Sequence, residues 1–379
     1  MTVPSGAEAA VDLRVVDLDF RTDPRWDEFV SSHPDGLVFH HSAWLRTLER
    51  EYGSLFLALA CEDAGRRIQG VLPLAVTRGL PFGLGGAGTR RRLSSLPRTP
   101  LAGPVAASRA ALAALAEAAV ERTRAEPGLL LQLKLSEPSL DGLVDGLVGA
   151  PWRLNYVLDL PAEPDAVRFG NSRNHARIRW AVNKATRSGV HVRPAETEAE
   201  LRDWYSLYLD VNRWRLQPPR PYRLFRAAWE LMRPLGLMRL LLAEQRAEGR
   251  SRIVAGSMLL MLGDTVFYAF NGRLREALAL RPNDVIQWRA IHDAAREGFR
   301  RYDFGEVAQE NRDLAAFKSK WGTDAQRLHR YYFPAPPDVD AGYGSLESEN
   351  LARRVGTRAW RWLPLRATAF VGDRIYRYL

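Results

Sequence analysis

The stretch that decides the fold reads IVAGSMLLMLGDTVFYAFNGRL (253–274), RPNDVIQWRAIHDAAREGFRRYDFGE (281–306) and AAFKSKWG (315–322). Its first piece consists of two runs of apolar and β-branched residues. Gly263 and Asp264 separate the runs, and a glycine-containing turn between two such runs is a hairpin signal. This part of the chain is therefore predicted to form two antiparallel strands.

A helix and a further strand are predicted to follow the hairpin. Pro282 is suited to the first position of a helix, and apolar residues then recur at helical spacing. Gly298 ends the helix, and Tyr302 to Phe304 return to a strand pattern. The predicted order is β-β-α-β with a lysine-bearing segment behind it.

Three motifs in this stretch carry a resemblance to a known family. L-x-P-N-x-x-x-x-W begins at Leu280, G-x-x-x-Y-D-F-G begins at Gly298, and F-K-x-K-W-G begins at Phe317. Together they resemble the signature of the Fem family of aminoacyltransferases and of acetyltransferase-like domains found with exopolysaccharide and cellulose biosynthesis, both in the GNAT superfamily. The resemblance implies an α/β fold with mixed sheets, in which tandem GNAT-like domains surround a central cleft.

An internal repeat points to the same duplication. Residues 55–74 and 240–259 each form two apolar runs around a polar turn, and a Trp-bearing amphipathic helix ending in glycine precedes each of them (41–53 and 226–236). Two copies of one α/β unit explain this order. The alternative is a pair of unrelated hairpins of similar composition.

Composition shifts indicate the domain organisation. We expect an N-terminal GNAT-like domain at 10–160 and a C-terminal one at 165–335, joined near a proline-flanked strand exit. Residues 336–350 are rich in Pro, Gly and acidic residues and are predicted to be a linker. A basic amphipathic tail at 351–379 follows.

The composition describes a globular chain with a basic surface. It has 379 residues, 46% of them hydrophobic, and a formal net charge of +10. Such a charge attracts polyanions such as tRNA, nucleotide pyrophosphates or anionic lipid headgroups. The chain lacks a long apolar run and a signal-peptide pattern, so a cytoplasmic protein is expected, with a peripheral position on the inner membrane face as an open alternative. The single cysteine, Cys61, is expected in the core.

Lys318 is the first candidate for a catalytic role, which the resemblance implies because the first lysine of F-K-x-K-W-G lies near the acceptor and the scissile carbonyl in the Fem family. A fixed cation stabilises the oxyanion that forms during acyl transfer. The alternative is a solvated helix lysine equivalent to Lys320. Spacing alone does not separate the two.

Asp303 and Glu306 are candidate proton acceptors at the end of the predicted strand. α/β sheets open their sites at such strand ends, and a carboxylate there can take a proton from an attacking ammonium. The alternative for Asp303 is a hydrogen bond to neighbouring backbone or a pair with Arg300 or Arg301. Tyr302 and Phe304 are expected to pack in the core.

Arg281 and Asn283 are candidates for donor phosphate binding at the helix start. GNAT acetyltransferases use a glycine-rich turn there, whose backbone approaches the coenzyme A pyrophosphate. Here the turn has no glycine and contains Asp284. This departure argues against ordinary coenzyme A binding and fits the aminoacyl-tRNA donor of the Fem family better. For Arg281, an exposed loop arginine is the alternative.

The segment SRNHARIRWAVNKATRS (172–188) is predicted to be a two-faced helix capped by Gly189. One face is apolar, and the other is a cationic row with one aromatic residue, which suits a nucleic-acid backbone with an unstacked base. The row consists of Arg173, Arg177, Trp180, Lys184 and Arg187. The alternative is an ordinary solvated face with Trp180 packed under the first domain.

The remaining motifs give weaker indications of function. GLGGAG (83–88) satisfies G-x-G-x-x-G, but a basic and proline-rich stretch follows it instead of a long apolar helix, so a dinucleotide fold is rejected. The loop is a candidate to hold a phosphorylated acceptor, or is a plain surface loop. The histidines show no metal spacing. We predict no metal, no tightly bound cofactor and no covalent intermediate.

The tail 351–379 is predicted to be a basic, Trp-bearing helix kinked at Pro364, with apolar groups in a stripe. Two readings stay open, an anionic membrane surface and docking on the protein body. The stripe consists of Trp360, Leu363, Ala367, Phe370, Val371 and Ile375.

The resemblance implies an N-acyltransferase that moves an aminoacyl or acyl group to an amine of an envelope or polysaccharide precursor, such as a peptidoglycan precursor, or of a small metabolite. The donor would be aminoacyl-tRNA. One alternative is an acyl-CoA-dependent acetyltransferase of exopolysaccharide biosynthesis. Another is a GNAT-like scaffold at the membrane without catalysis. A Fem-like coiled-coil arm is not visible in the sequence, since the candidate region 193–235 is short and contains several prolines.

Overall fold

A computed structural model describes residues 12–53, 56–78, 91–247, 249–336 and 359–376. In the N-terminal half the elements are β1 (Arg14–Asp17), α1 (Arg25–Ser32), α2 (Ser42–Tyr52), β2 (Phe56–Glu62), β3 (Ile68–Thr77), β4 (Arg92–Ser94), β5 (Val105–Ala106), α3 (Arg109–Arg124), β6 (Leu130–Leu135) and β7 (Val148–Asp159).

The C-terminal half repeats much of this order. Its elements are α4 (Ser172–Arg187), β8 (Val190–Pro194), α5 (Glu198–Trp214), α6 (Tyr222–Leu231), β9 (Met238–Ala247), β10 (Arg250–Leu262), β11 (Thr265–Arg273), α7 (Pro282–Arg296), β12 (Arg301–Val307), α8 (Arg312–Ser319) and β13 (Asp324–Phe333). The tail contributes α9 (Ala359–Trp362) and α10 (Leu365–Ile375). No helix in the described ranges is both long and apolar enough to cross a membrane.

One mixed sheet runs through the molecule in the order β1-β2-β3-β4-β6-β13-β7-β12-β11-β10-β9-β8, with β5 beside β3. Read from either end toward the middle, the pairing is the same. Three antiparallel pairs come first and a parallel pair follows, β4 with β6 in one half and β11 with β12 in the other. Two copies of one α/β unit explain this symmetry, and the predicted mixed α/β sheet built from a repeated unit is confirmed.

The halves exchange their last strands at the centre of the sheet. β7 leaves the N-terminal half and pairs with β12, while β13 leaves the C-terminal half and pairs with β6. The two exchanged strands also pair with each other. Each half therefore completes its sheet with a strand of the other. The domain boundaries near 160 and 335 remain a prediction.

A shared core joins the halves. The repeated helices α2 and α6 pack against each other, and Phe39 lies against Phe267 with ring centroids 4.7 Å apart. Arg220 and Glu51 form an ion pair across the halves at 3.1 Å, with both side chains buried. A buried charge is strongly destabilising when it lacks its partner. This ion pair therefore favours the arrangement in which the two halves are in contact.

The parallel strands β11 and β12 pair only at their starts, from Thr265 with Arg301 to Phe267 with Asp303. β11 then continues to Arg273 without pairing to β12, and β12 continues along β7 with an irregularity between Asp303 and Glu306. Gly305 supplies this bend with φ of +80°, a conformation that side chains with a Cβ rarely adopt. The separation opens a gap between the two strands.

The local predictions for this region are confirmed. Gly263 and Asp264 connect β10 to β11, and α7 begins at Pro282. Gly298 follows the helix at φ of +87°. The predicted loop 83–88 lies outside the described residues, as do 337–350 of the predicted linker.

The tail docks on the body through a face that coincides only partly with the predicted stripe, since Trp360 of the stripe is buried. Thr368, Gly372 and Tyr376 are buried, whereas Phe370 is 61% exposed. Thr368 and Gly372 are small, which lets α10 approach closely, and Gly372 lies directly against the Pro219 carbonyl. Phe370 therefore does not belong to the docked face. The break between α9 and α10 falls at Pro364, as predicted.

Candidate active site at the split between two parallel strands

Lys318 lies in α8 with only 4% of its surface exposed. Its ammonium donates to the carbonyl oxygens of Gly305 at 2.8 Å and Glu306 at 3.1 Å, at the bend where β12 leaves β11. The Tyr156 ring lies 5.9 Å from it. An ammonium has three donors, so these two carbonyls leave one N–H for a further acceptor.

Burial lowers the pKa of Lys318 to about 8, since the charged form loses its hydration. The carboxylates of Asp303 and Glu306 oppose the shift, and Arg215 adds to it. At neutral pH the side chain is therefore still a cation, but one that releases its proton more readily than an ordinary lysine. Such shifts are typical of functional sites.

Asp303 is buried beside this lysine. Its carboxylate accepts from the Asn155 amide at 2.8 Å and from the Gly305 N–H at 2.6 Å. Burial raises its pKa although both hydrogen bonds and Lys318 act in the opposite direction. The backbone hydrogen bond is one of the alternatives weighed from the sequence. Arg301 bonds Asp264 instead.

The carboxylate of Glu306 has other hydrogen-bond partners than Lys318. Its carboxylate accepts from Trp152 at 2.9 Å, Arg153 at 3.0 Å and Arg330 at 3.3 Å. Its backbone carbonyl, not its side chain, meets Lys318. These partners connect β12 to the exchanged strands, so the geometry favours a structural part for Glu306 over proton transfer.

Lys320 differs from Lys318 in its partner. It forms an ion pair with the buried carboxylate of Asp284 and lies 4.5 Å from the Phe317 ring. This pair has two consequences. Lys320 joins α8 to the first turn of α7, and the negative charge of Asp284 is compensated, so that acid gives no reason to exclude a phosphate at the helix start.

The α4 face and the start of α7 come together through Trp180. Trp180 is 50% exposed, with the Lys184 ammonium 5.5 Å and the Arg281 guanidinium 5.8 Å from its ring centre. Arg173 and Arg177 are exposed along the same helix. We name Arg173, Arg177, Trp180, Lys184 and Arg281 the α4/α7 face. Among the predicted alternatives, Trp180 packed under the first domain is wrong.

Asn283 is half-buried and contacts β11. Its side-chain oxygen accepts from Asn271 of β11 at 3.3 Å, and the Asn271 oxygen accepts from Arg273 at 3.4 Å. Asn283 thereby links the start of α7 to β11. Contact of Asn283 with a donor phosphate remains a prediction.

Arg215 and Arg273 are cations that sequence reasoning missed. Burial lowers the pKa of Arg273, and Arg215 and Arg275 lower it further. Within the ranges that the structure describes, no carboxylate forms an ion pair with either of the first two. Arg215 also acts on Lys318. The signal was absent from local sequence, since the end of α5 meets β11 only in the folded chain.

Comparisons with known proteins show which fold this chain has. Residues 172–319 match the family model of the acetyltransferase (GNAT) domain. No curated protein sequence matches the chain. The crystal structure of FemX has a TM-score of 0.65 at 16% identity and covers 85% of this chain and 98% of its own.

Two further solved structures share the fold more distantly. The C-terminal domain of a putative lysylphosphatidylglycerol synthetase from Agrobacterium fabrum has a TM-score of 0.54 at 13% identity, covering 85% of this chain and 93% of its own. L-PGS from Bacillus licheniformis has a TM-score of 0.50 at 11% identity, covering 78% and 88%. At such identities these likenesses show the fold.

Proposed function

We propose, from the premise that this chain carries a GNAT acetyltransferase domain within a Fem-like tandem fold, that it is an N-acyltransferase. It would move an aminoacyl or acyl group to an amine of an envelope or polysaccharide precursor or of a small metabolite. The observation that carries the proposal is the buried cation of Lys318 at the split between β11 and β12.

The reaction needs two things from the site. A neutral amine attacks the donor carbonyl, and negative charge develops on the carbonyl oxygen. The remaining N–H of Lys318 is suited to bind that oxyanion, because it is held in a buried position and needs little reorganisation. One such donor contributes about 3 kcal/mol to the transition state.

The second requirement is a proton acceptor. The attacking amine becomes an ammonium when its C–N bond forms, and a base must take the proton before the intermediate collapses. Asp303, whose raised pKa makes it a stronger base than an ordinary aspartate, is the candidate. Collapse then breaks the bond to a ribose hydroxyl or a thiol, which leaves with a proton.

The donor in this proposal is a polyanion with a base that can stack. The α4/α7 face places an exposed indole between two cations, an arrangement that binds a nucleobase and adjacent phosphates. Aminoacyl-tRNA and acyl-CoA both carry adenosine and phosphate. The compensated charge of Asp284 keeps acyl-CoA as the second candidate.

The experiment is competitive binding of acetyl-CoA and of an aminoacyl-tRNA pool at about physiological salt, where non-specific RNA binding is weak. Saturable preference for charged over uncharged tRNA supports the Fem-like donor, and tight acetyl-CoA binding supports the acyl-CoA branch. Binding of neither, together with no turnover, contradicts the acyltransferase proposal and favours a scaffold without catalysis.

Variants of the α4/α7 face locate the donor. Trp180→Ala is expected to weaken donor binding by about 1–3 kcal/mol through loss of stacking, and Arg281→Ala to weaken it with a smaller salt dependence. Arg179→Ala is the matched control, because Arg179 is exposed on the same helix outside the cationic row. Equal effects of Arg179→Ala and Arg281→Ala would contradict a site on this face.

A further inference from the structure

The tail exposes large aromatic side chains on the side away from the body. Trp362 is 87% exposed and Phe370 is 61% exposed. Single exposed apolar side chains are common on protein surfaces, whereas several in one short segment indicate an interaction site. They are not needed for docking, since Thr368, Gly372 and Tyr376 make the buried contacts of α10.

The docking itself is specific and fixes which face points outward. Asp373 forms an ion pair with Arg223 of α6, and the Tyr376 hydroxyl donates to the Pro218 carbonyl at 3.3 Å. The Leu363 carbonyl accepts from Arg213 of α5 at 3.2 Å. Both tail helices also contact α5, so the segment is held on the body and presents its exposed aromatic groups from a fixed position.

The outward side is also basic. Arg361, Arg366 and Arg374 are exposed, and Arg374 lies 5.0 Å from the Phe370 ring. Asp373 is the one acidic residue in 359–376, and it is paired with Arg223. We name Trp362, Phe370 and these three arginines the outer tail surface. It combines apolar groups with positive charge and has no negative charge of its own.

The outer tail surface continues onto the body at the end of α5. Arg361 lies 5.4 Å from the ring of Trp214, which is 37% exposed, and Arg275 lies 3.7 Å from the same ring. Arg275 belongs to the loop between β11 and α7. The surface therefore begins beside the loop that leads into the candidate active site.

We propose that the outer tail surface binds the interface of an anionic lipid bilayer. Tryptophan and phenylalanine insert at headgroup level, and arginines beside them pair with lipid phosphates. A single-stranded nucleic acid is the competing partner, but it is bound in a groove that follows its backbone, whereas these side chains are exposed on two short helices. The proposal stands independently of acyl transfer.

Vesicle co-sedimentation of the full chain tests the proposal. The protein is expected to bind vesicles containing phosphatidylglycerol and to bind phosphatidylcholine vesicles much more weakly. Each arginine near an anionic surface contributes about fivefold to the partition coefficient, so Arg366→Glu with Arg374→Glu should weaken binding by about 30-fold or more. Trp362→Ala with Phe370→Ala should weaken binding to the same vesicles by at least tenfold.

Control variants place comparable changes of charge and of exposed apolar surface elsewhere. Arg250→Glu with Arg300→Glu makes the same change in net charge at exposed positions, and Leu235→Ala removes an apolar side chain that is 60% exposed. Both should retain vesicle binding.

The proposal is overturned if the wild-type chain stays in the supernatant, if controls and tail variants lose binding equally, or if RNA binds this surface in place of vesicles. Donor binding and turnover with water-soluble substrates are measured separately, so failure here leaves the acyltransferase proposal distinguishable.

Discussion

Lys318 is a buried lysine that is held by backbone carbonyls instead of by an ion pair, and burial lowers its pKa. Lys318 has no ion-pair partner among the described residues; its ammonium donates to two carbonyl oxygens, and the carboxylates of Asp303 and Glu306 act on its pKa without pairing with it. Its cation is therefore available to an oxyanion and sensitive to pH. The predictions at the scale of single residues follow from this state.

Lys318→Met is expected to reduce turnover by about 10²- to 10³-fold, because one preorganised oxyanion donor is lost. The fold should be retained, since an apolar side chain of similar length suits a buried position. Single-turnover rates with donor bound, beside thermal unfolding, provide the measurement. Unchanged turnover would remove Lys318 from the mechanism.

The pH dependence of Lys318 has a definite sign. Turnover should fall as pH rises through about 8, where the ammonium is lost. A pH–rate profile measures this fall.

The free energy of unfolding should change with pH in the opposite direction. Between about 8 and the unfolded pKa near 10.5 the unfolded chain binds more protons, so the free energy of unfolding of wild type should rise relative to that of Lys318→Met. Denaturant titrations of both proteins at pH 7.5 and 10 measure the difference.

The variant Asp303→Asn distinguishes a role of Asp303 as the catalytic base from a purely structural role. Asn155 and the Gly305 N–H both donate to Asp303, and an asparagine brings its own donors to one of these contacts, so a stability loss of about 1–3 kcal/mol is expected. If Asp303 is the base, the acidic limb of the pH–rate profile also disappears. A profile of unchanged shape at reduced rate would assign Asp303 to structure alone.

At the scale of elements, α7 and α8 are joined by a charge pair whose acidic member is buried. Lys320→Met leaves Asp284 without its partner and should lower the free energy of unfolding by about 3–5 kcal/mol. Adding Asp284→Asn should recover much of that loss, because the uncompensated charge is gone. Denaturant unfolding of the single and double variants gives the coupling. Additive losses would show that the pair is not formed.

Elements with strong local signals could be predicted from the sequence, and their non-local contacts could not. The helix at Pro282 and the turn at Gly263 follow from spacing and turn residues. Lys318 and Lys320 remained equivalent, because their difference depends on where Gly305 and Asp284 lie in space. The sequence did not show which face of α10 docks on the body, since small residues, which carry little apolar signal, make the contact.

At the scale of the whole molecule, the exchange of β7 and β13 makes the two halves one cooperative unit. A chain that ends at residue 323 lacks β13 and leaves β6 and β7 without their shared neighbour. We expect it to lose the fold of both halves. Full-length protein should unfold in a single transition with coincident probes. A stable N-terminal half in the shortened chain would contradict this expectation.

The strand exchange also sets the order of events during synthesis. β6 leaves the ribosome early, but its partner β13 is made roughly 190 residues later, which takes roughly 10–40 s at the usual rates of translation. Through that interval the edge of β6 has no permanent neighbour, and open edges recruit other chains. The nascent protein therefore depends on protection of this edge until its last strand arrives.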